Sequence, residues 1–414
     1  MSRNHNRPRV AVTGFYAGFA AAHGWRELAA SSAPNLRAEF ERENADATAP
    51  RCMPDFECVI ARVLREMQCA GLWNSHGLAV DPQRVAVTFA TSKSEFAKSL
   101  RPGNGRVGSD APQTPSPALP LVKGKGVLPD SHSIAALEEW ETPGLWNRAS
   151  DWPAIALART IGATGARIAP VAACATGAHA IALATQQIED GYADVALAGA
   201  LETPQTPLVL AAYASLGALS DSGAMRPFDR RRDGFVAGAG AGCVVLENED
   251  KARRHGATIY GYLSGWSMQA DATSMTAFCP SGDSITRAIE VALRRADLAA
   301  VDYINAHGTA TQLNDVTETR AIKSALGATT AASSTKPLTG HLMGAAGAVE
   351  AVLCLAAMRE NYAPPTLHLE EPDEECDLDY IALRGRAKNI SSALSLSYGF
   401  GGHIGVLIFE RETK

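Results

Sequence analysis

The stretch VAACATGAHAIALATQQIEDG, from Val171 to Gly191, is the part of the sequence that decides the fold. It runs from an apolar segment, read as a strand that ends at Cys174, into a helix predicted to begin at about Thr176. Because that helix is small and apolar almost all round, we expect it to be buried between two sheets. Cys174 is then either a small core residue, as most buried cysteines are, or a nucleophile whose thiolate the helix dipole stabilises.

The composition bounds the class of protein. With 414 residues, 46% hydrophobic and 20% charged, the sequence predicts a soluble globular protein of two domains or two fused halves. The net charge of -6 argues against a nucleic-acid-binding protein. The eight cysteines form no CxxC pair and no zinc-binding pattern, so we predict no metal site and reduced thiols in the cytoplasm. The N-terminal segment does not resemble a signal peptide, and no apolar run approaches the ~20 residues that span a bilayer.

Short apolar segments alternate with helical patterns along most of the chain. Strands are predicted in RVAVTG, RVAVTF, ARIAPVAAC, YADVALAGA, AGCVVLEN and ATIYGYLSGW, helices over 133–139 and 152–161, and a long surface loop over 101–130. A later helix has Ser281 or Asp283 as its expected N-cap. The alternation predicts buried sheets between helical layers. The similar order of elements in two halves, 1–257 and 258–414, fits a pseudo-duplicated five-layer αβαβα sandwich.

Two histidines and a lysine occupy positions like that of Cys174. His307 follows an apolar strand in NAHGTAT, and His341 lies between a strand and a helix in KPLTGHLMGAAG, five residues after Lys336. In open α/β sheets, the carboxyl ends of strands are where ligands bind. Each histidine taken alone is more often structural. Together with Cys174, these residues predict a catalytic site.

The chain resembles the β-ketoacyl-acyl-carrier-protein synthases of the elongating, thiolase-fold type. The resemblance rests on ACATGAHAI, RPFDRRRDGFV, INAHGTATQLNDVTE, SSTKPLTGHLMGAAGAVE and YGFGGH, which follow one another in the family's order. The first 130 residues resemble the family only weakly. Elongating members carry a Cys-His-His set, which matches Cys174, His307 and His341. The resemblance implies the thiolase-like sandwich and an acyltransferase that elongates a fatty-acid, polyketide or polyene chain by decarboxylative Claisen condensation.

The resemblance also implies a role for each candidate residue. Cys174 takes the acyl group from a phosphopantetheine arm, and His307 and His341 stabilise the enolate left when a malonyl-type extender loses carbon dioxide. Lys336 orients His341 or polarises the site. The supporting carboxylates are Glu318 and Asp315, the pantetheine-binding hydroxyls are Thr309 and Thr311, and the gate and oxyanion loop comprises Gly399, Phe400, Gly401, Gly402 and His403. Glu318 as a surface ion pair, Lys336 as a solvated residue and Phe400 as a core residue are the plainer alternatives.

The implied partner is acyl carrier protein, and no bound cofactor is implied. The assembly is expected to be a homodimer, or a heterodimer with a ketosynthase-like chain-length factor. Family-typical residues are replaced by Ala239, Ser274, Leu396, His403 and Ile404, which favours a specialised type II polyketide or aryl-polyene-like synthase. Two other classes stay open. One is a non-catalytic chain-length-factor-like subunit, which usually lacks the nucleophile. The other is a thiolase or non-decarboxylating acyltransferase acting on acyl-CoA, which would need a second cysteine where GFGGH has none.

Overall fold

The structure is a computed structural model that describes residues 8–19, 56–74, 77–91, 150–202, 205 and 207–412. The helix expected over 133–139, the loop over 101–130 and the helix expected before residue 100 lie outside the described residues.

The described elements alternate as the sequence predicts. The strands are β1 (Val10–Phe19), β2 (Trp73–Asn74), β3 (Gly77–Leu78), β4 (Val85–Ala90), β5 (Arg167–Ile168), β6 (Val195–Glu202), β7 (Gly240–Asn248), β8 (Gly261–Ala270), β9 (Tyr303–Asn305), β10 (Ala331–Ser333), β11 (Tyr362–Ala363), β12 (Arg386–Ala387), β13 (Ser392–Gly399) and β14 (His403–Glu410). The helices are α1 (Phe56–Cys69), α2 (Trp152–Ile161), α3 (Thr176–Glu189), α4 (Pro207–Ser215), α5 (Glu249–Arg254), α6 (Asp283–Ala296), α7 (Gln312–Leu326), α8 (Lys336–Thr339) and α9 (Ala346–Glu360). Two short 3₁₀ turns, Ala173–Ala175 and Met343–Ala345, precede α3 and α9.

Ten strands form one sheet that consists of two halves with the same topology. The first half contains β1, β4, β5, β6 and β7, and the second contains β8, β9, β10, β13 and β14. In each half, the strands lie across the sheet in the order first, fifth, fourth, second, third. The first two pairs of each half are antiparallel and the last two are parallel. The halves meet where Ala11 and Val12 pair with Tyr262 and Gly261. The pseudo-duplicated α/β fold is confirmed, and its division at residue 257 stays a prediction.

The two halves enclose a middle layer of helices. Helices α3 and α9 pack against each other and against strands of both halves. Helices α1 and α2 cover the outer side of the first half, and α6 and α7 cover the outer side of the second. The helix after Cys174 is therefore buried between sheets, as its composition predicts.

The middle helices cross at two glycines. A Cβ atom on Gly177 of α3 would lie 2.6 Å from the amide nitrogen of Ala348. A Cβ atom on Gly347 of α9 would lie 2.9 Å from the amide nitrogen of Ala178. Both distances are shorter than real Cβ contacts, so neither position has room for a side chain. The crossing brings the two 3₁₀ turns into contact at one end of the middle layer.

The fourth strand of each half ends against the turn of the other half. Strand β13 reaches the turn that holds Cys174, and β6 reaches the turn Met343–Ala345. At the second contact, the buried carboxylate of Glu202 accepts the Gly344 N–H at 3.1 Å.

Three local expectations differ from the structure. The strand expected to end at Cys174 already ends at Ile168, and Cys174 instead lies in a 3₁₀ turn that starts at Ala173 (φ 46°). Thr176 closes that turn, since its Oγ1 accepts the Ala172 N–H at 2.9 Å and donates to the Ala173 carbonyl at 2.7 Å. The N-cap of α6 is Gly282, and neither expected side chain takes that position. Strand β8 begins at Gly261, later than expected.

We expect Gly177→Ala to destabilise the protein by about 1–3 kcal/mol, because the new methyl group overpacks a backbone contact inside the middle layer. The measurement is urea unfolding at a fixed protein concentration. Gly14→Ala is the matched control: a Cβ atom there would lie 3.2 Å from its nearest neighbours, which are side-chain atoms of Glu66 and Val245 and not backbone atoms. If both variants lost the same free energy of unfolding, the close helix crossing at Gly177 would not be the cause of the loss.

Candidate active site

The turn that holds Cys174 places the thiol at the start of α3. Cys174 is partly buried, and the helix begins two residues later at Thr176. The side chain packs against an apolar cluster that includes Ala218, Phe235 and Met343. A thiol at a helix N-terminus feels the positive end of the dipole, which favours the thiolate. The position therefore suits a nucleophile better than a filler of the core.

His341 is held by the chain segment that precedes β7. Its backbone N–H donates to the Val236 carbonyl at 2.7 Å, and its carbonyl accepts the Gly238 N–H at 2.9 Å. The imidazole is buried, with the ring of Phe235 edge-on at 5.0 Å between centroids. The backbone and the aromatic contact together fix the direction of the His341 ring.

His307 lies beside His341 and is contacted by Lys336. The two imidazole centroids are 5.5 Å apart. Lys336 Nζ lies 3.2 Å from His307 Nδ1, and because an ammonium group only donates, Nδ1 is the acceptor and the ring proton is on Nε2. Burial, and then the charge of Lys336, hold the pKa of His307 well below its usual range. His307 is thus a neutral imidazole with an Nε2–H donor. Lys336 contacts His307, a contact the sequence did not predict. The sequence-based roles, that Lys336 orients His341 or polarises the site, stay predictions.

Lys336 is fully buried and paired with Glu350. Its Nζ donates to Glu350 Oε1 at 2.5 Å, inside α9. Burial raises the pKa of Glu350, while the ammonium of Lys336 acts in the opposite direction. Glu350 was not predicted as a site residue from the sequence. The available signal was its position as an isolated carboxylate in a helix that is otherwise almost entirely apolar, where a buried charge needs a partner.

The two supporting carboxylates hold backbone and not the reacting side chains. Glu318 accepts the His307 N–H at 2.6 Å and the Gly308 N–H at 2.8 Å. Asp315 accepts the Phe228 N–H at 2.8 Å. Burial raises the pKa of Glu318 to about 8 and that of Asp315 to about 6. Glu318 therefore shapes the loop that carries His307, and it is not a surface ion pair.

Thr309 and Thr311 lie on the same loop. Their hydroxyl oxygens are 3.2 Å apart, and Thr309 is buried while Thr311 is partly exposed. The pair presents hydroxyl groups between His307 and the start of α7.

The gate loop joins β13 to β14 and approaches Cys174 directly. A Cβ atom on Gly399 would lie 2.5 Å from the Ala172 carbonyl and 3.0 Å from the Cys174 amide nitrogen. After Gly399, the Gly401 N–H donates to the Met275 carbonyl at 2.8 Å. The Gly402 carbonyl accepts the Asp271 N–H, also at 2.8 Å. Backbone hydrogen bonds to residues 271–275 therefore hold the loop.

A row of aromatic and imidazole rings joins the gate to the histidines. Consecutive ring centroids are 6.2, 5.4, 5.0, 5.5 and 5.1 Å apart along Phe400, Tyr213, Phe235, His341, His307 and Tyr398. Tyr213, Phe235 and Tyr398 were not selected from the sequence. They come from three separate segments, and only the fold brings them together.

The residues that replace family-typical ones differ in burial. Leu396 and Ile404 are fully buried in the core outside the second half, where apolar side chains fit. His403 is partly buried, and its ring lies 6.0 Å from that of His179 on α3. His179 Nε2–H donates to the Ile404 carbonyl at 3.0 Å, and burial lowers the pKa of His179. Ala239 is buried, and Ser274 lies on the exposed loop beside the gate.

Among the residues that the structure describes, there is no group of three or more side chains that could hold a metal ion. None of the helices in the described ranges is both long and apolar enough to cross a membrane.

Two family models match the chain. The model for the N-terminal domain of beta-ketoacyl synthase matches residues 131–252, and that for the C-terminal domain matches residues 260–370. Together they cover more than half of the 414 residues.

Curated relatives and solved structures agree with these matches. The 3-oxoacyl-[acyl-carrier-protein] synthase 2 of Synechocystis sp. is 48% identical over 261 residues, which is 61% of this chain and 63% of the relative. The Coxiella burnetii protein of the same name is 45% identical over 257 residues, 60% of this chain and 62% of the relative. The alignments thus span less than two thirds of those relatives.

The similar structures extend over nearly the whole chain. One is a type II polyketide synthase acyl-carrier protein in complex with its ketosynthase bound to the hexaketide, with a TM-score of 0.75, 27% identity, and coverage of 98% of this chain and 100% of that chain. Another is a beta-ketoacyl synthase from Burkholderia phymatum, with a TM-score of 0.73, 26% identity and the same coverage.

We expect Lys336→Met to cost about 3–5 kcal/mol of stability, because it leaves the buried carboxylate of Glu350 without its ammonium partner. The double variant Lys336→Met/Glu350→Leu should recover most of that loss, since it removes both charges. In the double variant, His307 should protonate at a higher pH than in the wild type, because a positive charge that lowers its pKa is gone. Urea unfolding and NMR titration of the His307 ring check these outcomes. An unchanged His307 titration in the double variant would contradict the assigned contact.

Proposed function

Because this chain belongs to the β-ketoacyl synthase family, we propose that it elongates acyl chains by decarboxylative condensation on acyl carrier protein. The acyl group is held on Cys174, and the extender is of the malonyl type. The observation that carries the proposal is the neutral His307 with its proton on Nε2, next to His341. Two imidazoles in that arrangement are suited to stabilise an enolate oxygen, which simple hydrolysis of a thioester does not generate.

Acyl transfer to Cys174 is the first step. The thiolate attacks the thioester carbonyl of the carrier-bound acyl group, a new S–C bond forms, and the pantetheine sulfur leaves and takes up a proton. The tetrahedral intermediate carries its charge on oxygen. The amide N–H groups of Cys174 and Phe400 are the proposed donors to that oxygen, since Gly399 lets β13 come close to the turn.

Decarboxylation and condensation follow at the histidines. The extender's carboxylate leaves as carbon dioxide, and its bonding electrons form the enolate. The enolate carbon then attacks the acyl carbonyl, and the Cys174 sulfur leaves as thiolate. Nε2–H of His307 is proposed to donate to the enolate oxygen. His341 is proposed as the second donor, with its direction set by Val236, Gly238 and Phe235.

The substrates are proposed to arrive on a phosphopantetheine arm of acyl carrier protein. Thr309 and Thr311 are the proposed hydrogen-bonding groups for the amides of that arm, since their hydroxyls lie 3.2 Å apart beside His307. A neighbouring structure of the same fold pairs a ketosynthase with its acyl-carrier protein, which supports this partner. We propose no bound cofactor, and the cytoplasmic location stays a prediction from the sequence.

The pathway is proposed to be polyketide-like rather than housekeeping fatty-acid elongation. Ser274, His403 and Ile404 depart from the family pattern beside the gate, and one similar structure is a type II polyketide synthase acyl-carrier protein with its ketosynthase bound to the hexaketide. The second candidate function is that of a non-catalytic subunit similar to a chain-length factor. The position of Cys174 at the start of α3, with two histidines close by, favours a catalytic subunit over this alternative.

The test separates the two half-reactions. Cys174→Ala should give no acyl adduct with an acyl-carrier donor and should lower condensation by several orders of magnitude, because the covalent nucleophile is lost. Intact-protein mass spectrometry detects the adduct, and urea unfolding checks that the variant is folded. Wild-type adduct formation from acyl-CoA but not from the carrier-bound donor would favour the acyl-CoA class instead.

In the same assay, His307→Ala and His341→Ala should still acquire the acyl group on Cys174. Both should lose release of carbon dioxide from the malonyl-carrier substrate, by roughly 100-fold or more each, because each removes a donor to the enolate oxygen. Loss of acylation with decarboxylation retained would reverse the proposed roles.

We expect the protein to form a dimer in solution. The proposed partner is a second copy of this chain, because it carries its own nucleophile, and closed two-fold dimers are the commonest soluble assembly. One related structure is a ketosynthase with its chain-length factor, so a heterodimer is the proposed alternative. Multi-angle light scattering of the chain expressed alone distinguishes these cases. An active monomer would contradict both, and an inactive monomer that becomes active with a Cys-less homologue would support the heterodimer.

A further inference from the structure

Arg232 is a buried arginine whose side chain ends at the loop that carries the two proposed arm-binding threonines. Only 3% of the residue is exposed. Its Nε–H donates to the Thr311 carbonyl at 3.1 Å, and its Nη2–H donates to the Gln312 carbonyl at 2.9 Å. Its Nη1–H donates to the Asp229 carbonyl at 3.1 Å and to the Asp373 carboxylate at 2.6 Å. The planar guanidinium thus joins two neighbouring carbonyls of the loop to the segment that precedes β7.

Two further hydrogen bonds join the same two segments. Gln312 Nε2–H donates back to the Arg232 carbonyl at 2.5 Å, and the Gly234 N–H donates to the Ala310 carbonyl at 2.8 Å. The carbonyls of three consecutive residues, 310–312, therefore accept hydrogen bonds from residues 232–234. The Arg232 side chain supplies two of these three bonds, so its loss would remove most of the connection.

The loop depends on this connection because its middle residue has an unfavourable backbone conformation. Ala310 is fully buried with φ at 61°, in the left-handed region that alanine rarely adopts. Such a conformation persists only where the surrounding structure holds it. On either side of Ala310, the hydroxyl oxygens of Thr309 and Thr311 lie 3.2 Å apart. Without Arg232, we expect the loop to relax to a more favourable conformation, which would change the spacing of the two hydroxyls.

The end of the loop that carries His307 is held by other residues. Glu318 accepts the His307 N–H at 2.6 Å and the Gly308 N–H at 2.8 Å. Lys336 contacts the His307 ring. Because Arg232 takes no part in these contacts, its loss should weaken binding of the substrate arm while His307 keeps its position.

We propose that Arg232 is a positioning residue that holds the Thr309 and Thr311 hydroxyls at the spacing that binds the phosphopantetheine arm. It acts through the loop, because its guanidinium is buried and donates to four oxygen atoms of the protein. The inference rests on the proposed function, since the arm and its two threonines belong to that proposal.

The experiment measures acylation of Cys174 by an acyl-pantetheine thioester over a range of donor concentrations, with intact-protein mass spectrometry. In Arg232→Gln, the half-saturating concentration should rise by about 3- to 10-fold, the effect of losing about one hydrogen bond to the arm, while the maximal rate stays unchanged. Arg232→Lys keeps the charge without the planar fork and should give a smaller rise. Arg230→Gln is the matched control, because it removes the same charge from an exposed residue that pairs with Glu371.

A second donor and a second background separate positioning from a general structural role. The S-ethyl thioester of the same acyl group has no amide for the threonines to bind, so Arg232→Gln should react with it at the second-order rate of the wild type. In a Thr309→Val/Thr311→Val background, Arg232→Gln should raise the half-saturating concentration little further, because the hydroxyls that it positions are already absent.

The outcomes separate the inference from the proposed function. An unchanged half-saturating concentration in both Arg232 variants overturns the inference while the proposed function stands. Equal slowing with both donors, or the same rise in the valine background, also overturns it, because Arg232 then supports the site as a whole. If urea unfolding shows that Arg232→Gln is not folded, Arg232→Lys is used in the same comparisons. A wild type that reacts no faster with acyl-pantetheine than with the S-ethyl thioester overturns the proposed binding of the arm, and the inference falls with it.

Discussion

The close crossing of α3 and α9 is the contact on which the rest of the structure depends. Gly177 and Gly347 let the two backbones meet almost without intervening side chains. The crossing aligns the 3₁₀ turns that precede the two helices, so that the turn holding Cys174 touches the turn that follows His341. Each turn belongs to a different half of the sheet. A wider spacing would separate Cys174 from the histidines, even if every residue of the proposed site were kept.

A second constraint is the charge that the fold buries. Lys336 and Glu350 form an ion pair with almost no exposure, and such a pair contributes little or nothing to stability relative to apolar residues. Its effect is on a neighbouring residue: the ammonium donates to His307 Nδ1 and, after burial, is the second cause of the lowered pKa that keeps the His307 ring neutral. The buried ion pair therefore contributes to the protonation state of His307 and not to the stability of the protein.

The sequence identified the residue types of the site better than their partners. Cys174, His307, His341 and Lys336 lie at ends of strands or starts of helices, which local patterns mark well, and the five-layer α/β fold followed from the alternation and the all-apolar helix. The contact between Lys336 and His307 was missed because the two residues lie 29 positions apart and follow different strands, β10 and β9. Glu350 and Tyr213 were missed for a different reason. Glu350 is an isolated carboxylate in a mostly apolar helix, but its partner Lys336 lies 14 positions earlier, on a different helix. Tyr213 looks ordinary in its own helix, and its ring neighbour Phe400 comes from a distant part of the chain.

The duplication gives the protein two similar 3₁₀ turns, one before α3 and one before α9, that differ in what lies against them. Each turn is met by the end of the fourth strand from the other half. At the turn before α9, that strand ends in Glu202, whose carboxylate oxygen accepts the Gly344 N–H. At the turn before α3, the strand ends in Gly399, which carries no side chain to fill the same place. The turn before α9 therefore holds a carboxylate oxygen of the chain at the position that, in the turn before α3, is proposed for the oxygen of the reacting thioester. It follows that a cysteine introduced at position 344 would not create a second reactive site. The Glu202 carboxylate already takes the position that the oxygen of a reactant would need.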